Sequence, residues 1–458
     1  MCNRFRSIVA LLLALSSFPA LAAPADEYDG YVLSQLQRQH IPGLSLAILR
    51  GDQVVKMRGY GFADLEHRVP ASAETVYEIG SITKEFTSMA VMLLREQRRL
   101  SLDDKLGSLL ANLPEPWRPV TLKQLLSHTS GIPDYEEVMG YDSYRNAMTP
   151  EQVFAYVASQ SLDFPSGTQW RYSNTGYYLL TLVIEKVSGE KYAAFVTRNI
   201  LVPAGMTHTR SSEPGDVIPN RASGYDYRES LRNRDAMQPS ATGGAGMLVS
   251  TIGDMARWAE VIRKKAILKP ESYALTFTDT VLADGSLSGY GLGWFVSPMR
   301  DHRALTHSGG TAGFSTNFLY LPDDDVTIVV LTNSGTVNPV SITEHFARVI
   351  VPALRYTAIP DPRPEVGRLL LDVYAHRTDA EPYLSAFTPE FAKQIAPYWS
   401  TSLDYYKSLG APLSVALVEL FPDKAAFRYR VQYKEGARLV RVKLDASGKI
   451  SELSGSEE

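Results

Sequence analysis

The sequence has almost no cysteine. Its 458 residues include one, Cys2, which lies ahead of a short apolar run from Ile8 to Leu15. Two arginines precede the run and Ala20-Leu21-Ala22 follows it, which indicates a secretory signal peptide over residues 1–22 rather than a buried core helix. Its removal would leave no cysteine, so the mature chain excludes disulfides, thiolate catalysis and cysteine-ligated zinc.

The sequence also lacks an excess of positive charge and a second long apolar run. Its 46 Lys and Arg against 50 Asp and Glu give a net charge of −4, so no basic field would draw the chain to nucleic acid or anionic lipid. After the signal peptide, no apolar stretch reaches the length that a membrane-spanning helix needs. We therefore expect a secreted protein, periplasmic if its source is a Gram-negative bacterium, with no nucleic-acid partner and no stable membrane anchor.

Several catalytic signatures are missing as well. The sequence has no Gly-x-Ser-x-Gly, which argues against an α/β-hydrolase. It has no His-Glu-x-x-His among its eight histidines, which argues against a zinc protease. Neither a Walker A motif nor Gly-x-Gly-x-x-Gly occurs, so nucleotide binding has no signature. We expect no cofactor and no metal site.

Apolar periodicity predicts strands at both ends of a mostly helical middle. The first end has a helix over 27–39 and a hairpin of strands 43–49 and 54–59. The later elements are helices at 83–97, 122–126, 150–159 and 175–187, strands at 293–296, 304–307, 314–321 and 326–331, and a helix at 340–354. This order predicts an α+β fold in which one antiparallel sheet, flanked by helices, carries an inserted helical subdomain. The main domain would span residues 23–358.

The chain after this domain is predicted to form a separate unit. Residues 359–364 hold three prolines, which neither a helix nor a central strand tolerates, so they are predicted to be a linker. Residues 365–458 show helical patterns and then strands at 414–420, 426–433 and 437–444, which predict a small α+β domain. Its order of elements resembles the cone-shaped domains similar to nuclear transport factor 2.

A serine and a lysine are close enough to share a helix face in Ser81-Ile82-Thr83-Lys84. The same spacing recurs in Ser188-Gly189-Glu190-Lys191, where the glycine is typical of a helix end and both side chains are expected in solvent. Ser81 instead begins a helix that is apolar on most sides, so Lys84 is expected to be buried. A desolvated lysine has a lowered pKa and can take the proton of a nearby serine. The alternative is that Ser81 only caps the helix and Lys84 points to water.

A second pair of candidates, Tyr172 and Asn174, lies just before another apolar helix. Tyr144-Arg145-Asn146 repeats the Tyr-x-Asn spacing, but in a predicted loop with no buried helix behind it. Alone, the segment around Tyr172 is more simply interpreted as an aromatic turn with Asn174 as the helix cap.

A third candidate segment, His307-Ser308-Gly309-Gly310, ends a predicted strand. Small residues at a strand edge allow a ligand backbone to approach closely. The alternative is a tight hairpin with a hydrogen-bonded histidine.

Together and in this order, the three segments resemble the three motifs of the serine β-lactamase and penicillin-recognising superfamily. The segments Leu125–Ile132 and Gly243–Gly246 also resemble recurring stretches of its β-lactamase-related branch. That branch holds class C β-lactamases, D-alanyl-D-alanine carboxypeptidases, D-aminopeptidases and related esterases. The resemblance covers about residues 27–356 and does not reach the C-terminal piece.

The resemblance implies a catalytic role for three residues. Ser81 would be the nucleophile, and Lys84 would take its proton directly or through Tyr172. Tyr172 would pass a proton to the leaving group, which requires a phenol pKa lowered by Lys84 and His307. Which of Lys84 and Tyr172 is the base in each step stays open.

The resemblance also implies substrate contacts. Asn174 would hydrogen-bond Lys84 and a substrate amide. The segment from His307 through Ser308 and Gly309 to Gly310 would line the substrate, and the N–H groups of Ser81 and Gly310 would form the oxyanion hole.

One departure from the family pattern bears on the substrate. Class C β-lactamases usually have Lys-Thr-Gly where this sequence has His307-Ser308-Gly309, and the His-x-Gly form looks more like the DD-peptidase, D-aminopeptidase and esterase members. A lysine is a fixed cation for a substrate carboxylate, whereas a histidine is only partly protonated near neutral pH. The implied function is an exported serine hydrolase that forms an acyl-enzyme with D-amino-acid peptides, amides or small esters. The alternatives are a β-lactamase, with β-lactams as substrates or inhibitors, and a non-catalytic binding or regulatory protein.

Overall fold

The computed structural model describes most of the chain. The described residues are 26–140, 160–213, 215–234, 242–397, 403–421, 426–434 and 436–458, with the single positions 152, 155, 157 and 399. The predicted signal peptide, the Tyr144-Arg145-Asn146 segment and most of the predicted helix at 150–159 lie outside them.

The long strands of the main unit lie on either side of a mostly helical middle region, as the two-ended pattern predicts. The strands are β1 Gly43–Arg50, β2 Gln53–Asp64, β3 Val69–Pro70, β4 Val76–Glu78, β5 Arg210–Ser211, β6 Tyr225–Tyr227, β7 Leu231–Asn233, β8 Leu248–Thr251, β9 Leu305–Thr311, β10 Phe314–Leu321, β11 Val326–Thr332, β12 Ser414–Leu420, β13 Ala426–Tyr433, β14 Gly436–Leu444 and β15 Ile450–Glu457. The helices are α1 Glu27–Arg38, α2 Thr83–Glu96, α3 Leu106–Leu109, α4 Leu122–Leu126, α5 Tyr135–Met139, α6 Asn174–Ser188, α7 Tyr192–Val196, α8 Ile252–Lys264, α9 Pro270–Thr276, α10 Pro339–Ile350, α11 Pro364–Ala375, α12 Ala380–Ser385, α13 Pro389–Ile395 and α14 Leu403–Leu409. Among these helices, none is long and apolar enough to cross a membrane.

One antiparallel sheet joins the two ends of the main unit. Its strand order is β3-β2-β1-β11-β10-β9. The pairing of β1 with β11 sets Leu46 opposite Val330, so residues near the start of the chain pair with residues nearly 300 positions later. The predicted α+β class, with a sheet built from both extremities, is confirmed.

Helices cover both faces of this sheet. Along β10, Phe318 packs into the core that contains the helices of the middle region, whereas Leu319 packs into the core beside α1 and α10. Because strand side chains alternate between faces, a strand covered on both sides is apolar throughout. All of β10 and β11 is buried for this reason.

Two expected elements differ from the structure. The predicted strand at 293–296 forms only isolated bridges, from Phe295 to Tyr290 and Thr306. The helix predicted to reach 354 ends at Ile350, because Pro352 disfavours helical backbone in the residue before it. A short 3-10 turn, Pro352–Leu354, follows.

The C-terminal unit has its own sheet, in the order β12-β13-β14-β15, and its own apolar core beneath α11 and its neighbouring helices. The strand β15 was not predicted, because its polar sequence resembles a solvated tail. Its end docks on the main unit, where His345 Nδ1 donates to the Glu458 carbonyl at 3.1 Å. His345 lies on α10, so this contact is on the sheet face opposite the core that contains α2.

Candidate active site

Ser81 lies in a tight turn between a strand and a buried helix. The strand β4 ends at Glu78, Gly80–Ile82 form one 3-10 turn, and α2 begins at Thr83. Ser81 is partly exposed while its neighbours are buried. It does not cap the helix, since Ile82 occupies that position, so the capping alternative for Ser81 is wrong.

Glycines on two elements allow the turn and the edge strand β9 to pack closely. Gly80 has φ +50°, and a Cβ there would lie 2.8 Å from the Gly310 nitrogen. A Cβ on Gly309 would lie 2.0 Å from the Ile79 carbonyl oxygen. A side chain at either position would push the backbones apart, so the glycines fix the distance between Ser81 and β9.

Lys84 is fully buried one turn after Ser81. Its Nζ lies 3.0 Å from Ser81 Oγ, 2.8 Å from Asn174 Oδ1 and 2.8 Å from the Ala245 carbonyl. An ammonium has three hydrogens for these three acceptors, whereas a neutral amine has two and a lone pair. The neutral form can therefore accept the Ser81 hydroxyl proton without losing its other two contacts.

The environment of Lys84 favours that neutral form. Burial lowers the pKa of Lys84 to about 7, although Asp134 and Glu136 raise it. Both protonation states are then populated near neutral pH, which is what a general base requires. The sequence prediction of a buried lysine with a lowered pKa agrees with this geometry.

Tyr172 is at the same point, with its ring 4.7 Å from Lys84 Nζ and its hydroxyl near enough to Ser81 for that residue to affect the phenol pKa. Burial raises the pKa of the Tyr172 phenol far above its ordinary value, the Ser81 hydroxyl lowers it in part, and the carboxylates of Asp134 and Glu136 raise it further. The sequence expectation of a lowered phenol pKa is therefore wrong. Tyr172 is a neutral proton donor in the free protein, because desolvation of a phenolate outweighs the nearby cation.

Asn174 connects Lys84 to two acidic residues. Its Oδ1 accepts from Lys84, while its Nδ2 donates to Asp134 Oδ2 at 3.1 Å and to Glu136 Oε2 at 2.9 Å. Both amide hydrogens are thus taken, which leaves none for the substrate amide that the family role assigns to it. The helix cap is Ser173, whose hydroxyl accepts from the Gly176 N–H, so Asn174 as cap is wrong.

His307 lies within β9 rather than at its end, and it is buried. Its Nδ1 lies 2.7 Å from the Ser308 carbonyl, which can only accept, so Nδ1 carries the proton. Its Nε2 then accepts from the Tyr290 hydroxyl at 2.9 Å. Burial, together with the charge of Lys84, lowers the pKa of His307 to about 3, although the bond to Ser308 raises it in part. His307 is neutral here, so the expected cation beside Tyr172 is absent.

The pairing of β9 directs Gly310 toward the site. Thr306 exchanges both backbone bonds with Phe295, outside the β9–β10 ladder. Alternation along an antiparallel strand then turns the N–H groups of Ser308 and Gly310 outward too. Gly310 is exposed and a Cβ there would meet nothing within 4 Å. Its N–H is therefore open to a ligand beside Ser81.

The sequence did not identify several side chains that shape this site. Asp134 and Glu136 follow the Leu125–Ile132 segment directly, and their acidity was the available signal. The Ala245 carbonyl belongs to the Gly243–Gly246 segment that resembles the family, but nothing in the sequence indicated its contact with Lys84. Tyr290 was open to interpretation as a cleft residue or a packing residue, and its bond to His307 was not predicted. Within the described ranges, no group of three or more His, Cys, Asp or Glu could hold a metal ion.

Comparison of the sequence with known proteins gives matches over the main unit. The family model "Beta-lactamase" matches residues 28–350. Protein flp of Staphylococcus aureus strain MRSA252 is 30% identical over 345 residues, which are 73% of this chain and 68% of that protein.

Comparison with solved structures gives the same fold. The octameric penicillin-binding protein homologue from Pyrococcus abyssi has a TM-score of 0.64 and 23% identity, covering 94% of this chain and 98% of that one. A D-stereospecific amidohydrolase from a Streptomyces species has a TM-score of 0.60 and 25% identity, covering 68% and 95%. The archaeal similarity therefore extends into the C-terminal unit, as a likeness of fold.

Proposed function

The chain belongs to the beta-lactamase family, and from that premise we propose that it is an exported serine hydrolase that forms an acyl-enzyme on Ser81. The observation that carries the proposal is the contact between Ser81 Oγ and Lys84 Nζ, at 3.0 Å, with a lysine pKa near 7. A serine becomes a nucleophile when an adjacent base removes its proton. The intact set of groups around Ser81 argues against a non-catalytic binding protein.

Acylation would use Lys84 as base and Tyr172 as acid. Neutral Lys84 takes the Ser81 proton as Oγ attacks the substrate carbonyl, and the N–H groups of Ser81 and Gly310 hold the oxyanion. The proton then passes through Tyr172 to the departing amine or alcohol, which restores neutral Lys84. Water attacks the acyl-enzyme to complete turnover. The raised phenol pKa of Tyr172 supports this division, because a neutral phenol can donate.

The charges around the site favour a substrate with a free amino group. His307 is neutral, so it gives no fixed cation for a substrate carboxylate. Asp134 is buried and Glu136 is partly exposed, both within hydrogen-bond distance of Asn174. Near neutral pH, Lys84 is only partly protonated, so its charge does not balance those of Asp134 and Glu136. The two carboxylates therefore attract the ammonium group of a substrate. We place D-amino-acid amides and short peptides first as substrates, with small esters next, in keeping with the Streptomyces amidohydrolase.

A first experiment tests the nucleophile. Wild type and Ser81→Ala would be treated with a fluorescent penicillin and, separately, assayed with p-nitrophenyl acetate and D-alanine p-nitroanilide. We expect ester and anilide turnover that the variant loses, together with a covalent label if β-lactams bind. If folded wild-type protein showed neither turnover nor labelling, the proposal would be contradicted and a non-catalytic binding protein would be the favoured hypothesis.

A second experiment tests the amine preference. We expect D-alanine p-nitroanilide to be hydrolysed about tenfold faster than its N-acetyl derivative, because only the former has an ammonium group. Glu136→Gln should reduce this ratio, whereas Glu137→Gln, the same change on the exposed neighbour that pairs with Arg171, should not. Equal rates for both substrates would contradict ammonium recognition and leave the nucleophile assignment intact.

Export is a separate part of the proposal. It rests on the signal-peptide pattern of residues 1–22. Expression of the full chain in a Gram-negative host should give periplasmic protein that starts close to residue 23, and deletion of residues 2–22 should retain it in the cytoplasm. Uncleaved protein in the cytoplasm of the first strain would contradict export.

A further inference from the structure

His128 occupies an unusual position directly beneath the site. It follows α4 and Ser127, its backbone has φ +58°, and its side chain is 1% exposed. A positive φ on a residue other than glycine is uncommon and carries a conformational cost. The backbone N–H of His128 donates to the Leu125 carbonyl of α4 at 3.3 Å. Its other hydrogen bonds lead to the segment around Tyr172.

His128 bonds to the backbone on both sides of Tyr172. Its carbonyl oxygen accepts from the Arg171 N–H at 3.0 Å. Its ring Nδ1 accepts from the Ser173 N–H at 3.1 Å. The imidazole also lies on the Tyr172 ring, with centroids 4.2 Å apart and 33° between the planes. The phenol that contacts Ser81 is thus held by three contacts from one residue.

The acceptor role of Nδ1 fixes the protonation of the ring. A neutral imidazole whose Nδ1 accepts must carry its proton on Nε2. That Nε2 is buried with no hydrogen-bond partner among the described residues. The ring centroids of Tyr177 and Tyr290 lie 5.1 Å and 4.8 Å from the centroid of the imidazole. A buried N–H without a hydrogen-bond partner costs free energy, and a hydrocarbon ring in the same space would avoid that cost. The bond that Nδ1 accepts from Ser173 is what the histidine offers in return.

We propose that His128 is a positioning residue that holds the Tyr172 hydroxyl at Ser81 through the two flanking amides and the ring contact. This inference rests on the proposed function, in which Tyr172 delivers the proton to the leaving group. A misplaced acid slows the departure of a poor leaving group more than that of a good one. Loss of the His128 side chain should therefore slow the hydrolysis of amides more than that of activated esters.

The test compares His128→Phe, which keeps a ring but loses the Nδ1 acceptor, with His128→Asn. Asparagine tolerates positive φ and can place Oδ1 near the position of Nδ1. We expect His128→Phe to lower kcat/KM for D-alanine p-nitroanilide about 10–100-fold and for p-nitrophenyl acetate at most about threefold. His128→Asn should recover most of the anilide activity, which a loss of packing alone would not explain.

His40 offers matched control substitutions. It also has a positive φ, +52°, and stacks on a tyrosine, Tyr227, at 3.8 Å, but it is exposed and touches no residue of the site. His40→Phe and His40→Asn should leave both rates unchanged. Equal losses for anilide and ester in His128→Phe, or no recovery in His128→Asn, would overturn the proposal even while Ser81-dependent turnover stands.

A double-mutant cycle with Tyr172→Phe provides the decisive comparison. If His128 acts through Tyr172, His128→Phe should change anilide hydrolysis by no more than about twofold once the Tyr172 hydroxyl is absent. Fully additive losses would overturn the proposal. The ¹⁵N spectrum of labelled protein gives a readout independent of turnover, since it should show a neutral His128 ring protonated on Nε2, and protonation on Nδ1 would contradict the bond to Ser173.

Discussion

The chain contains two Ser-x-x-Lys segments, and the structure gives them opposite environments. At Ser81 the lysine is fully buried, with three acceptors around its amine. At Ser188 the helix α6 ends, Gly189 turns the chain with φ +75°, and Lys191 lies beyond the turn. The Lys191 side chain is 85% exposed and its amine is 3.4 Å from Glu185.

The difference teaches that spacing alone does not make a nucleophile. Ser188 donates to the Glu190 carbonyl, a local bond that leaves its hydroxyl unrelated to Lys191. Ser81 and Lys84 lie one helical turn apart, and Lys84 is desolvated. Burial lowers the pKa of the Lys84 amine, so this amine can act as a base for the Ser81 hydroxyl. The predictions below change one member of this comparison at a time.

The largest effect is expected from the serines themselves. Ser81→Ala should lower the hydrolysis of p-nitrophenyl acetate by about 10³–10⁶-fold, because loss of a nucleophile removes the covalent route. Ser188→Ala should keep the wild-type rate. The two variants would be assayed side by side with circular dichroism as a check of folding, and a rate loss in Ser188→Ala or normal turnover in Ser81→Ala would contradict the assignment.

A large effect is also expected at the glycine that precedes Ser81. Gly80→Ala would place a Cβ 2.8 Å from the Gly310 nitrogen at a backbone φ of +50°. The resulting shift separates Ser81 from the edge of β9 and should cost about 10²–10³-fold in kcat, the range for one lost oxyanion donor. The assay is steady-state kinetics on the ester. An unchanged kcat would show that Gly310 does not contribute to the oxyanion site.

The pH dependence of the rate should distinguish the two lysines. Since Lys84 has to be neutral to accept the Ser81 proton, kcat/KM should rise with pH and level off above its pKa of about 7. The same profile should appear in Lys191→Met, because that amine is outside the site. A profile that keeps rising toward about pH 10, near the ordinary lysine value, would show that Lys84 is not desolvated in solution.

The sequence was sufficient for the fold class and for most of the candidate site. Local patterns predicted α2 and the strand β10, because each contains a run of apolar residues and neither a glycine nor a proline. Strands at both ends of the main unit predicted one shared sheet, although not the pairing of β1 with β11 within it. The sequence also indicated which Ser-x-x-Lys segment is buried, because an apolar helix follows Ser81 and a glycine follows Ser188.

What the sequence could not give depends on contacts between distant segments. The pKa of Tyr172 was assigned the wrong direction because its burial depends on residues from distant parts of the chain, such as His128 and His307, that pack beside its ring. The neutral state of His307 depends on its burial and on the charge of Lys84, which lies more than 200 positions earlier in the chain. The polar strand β15 has little apolar pattern of its own, and its place comes from pairing with β14.

The smallest effect is expected at Gly189, the counterpart of Gly80 beside the inactive serine. Gly189 also has a positive φ, but a Cβ there would meet nothing within 4 Å. Gly189→Ala should therefore cost only the left-handed backbone energy of an L residue, about 1–2 kcal/mol in the free energy of unfolding. Chemical denaturation would measure this loss, and the ester kinetics should stay at the wild-type level. If Gly189→Ala lowered kcat as Gly80→Ala is expected to, backbone strain itself, rather than contact with β9, would account for the effect at Gly80.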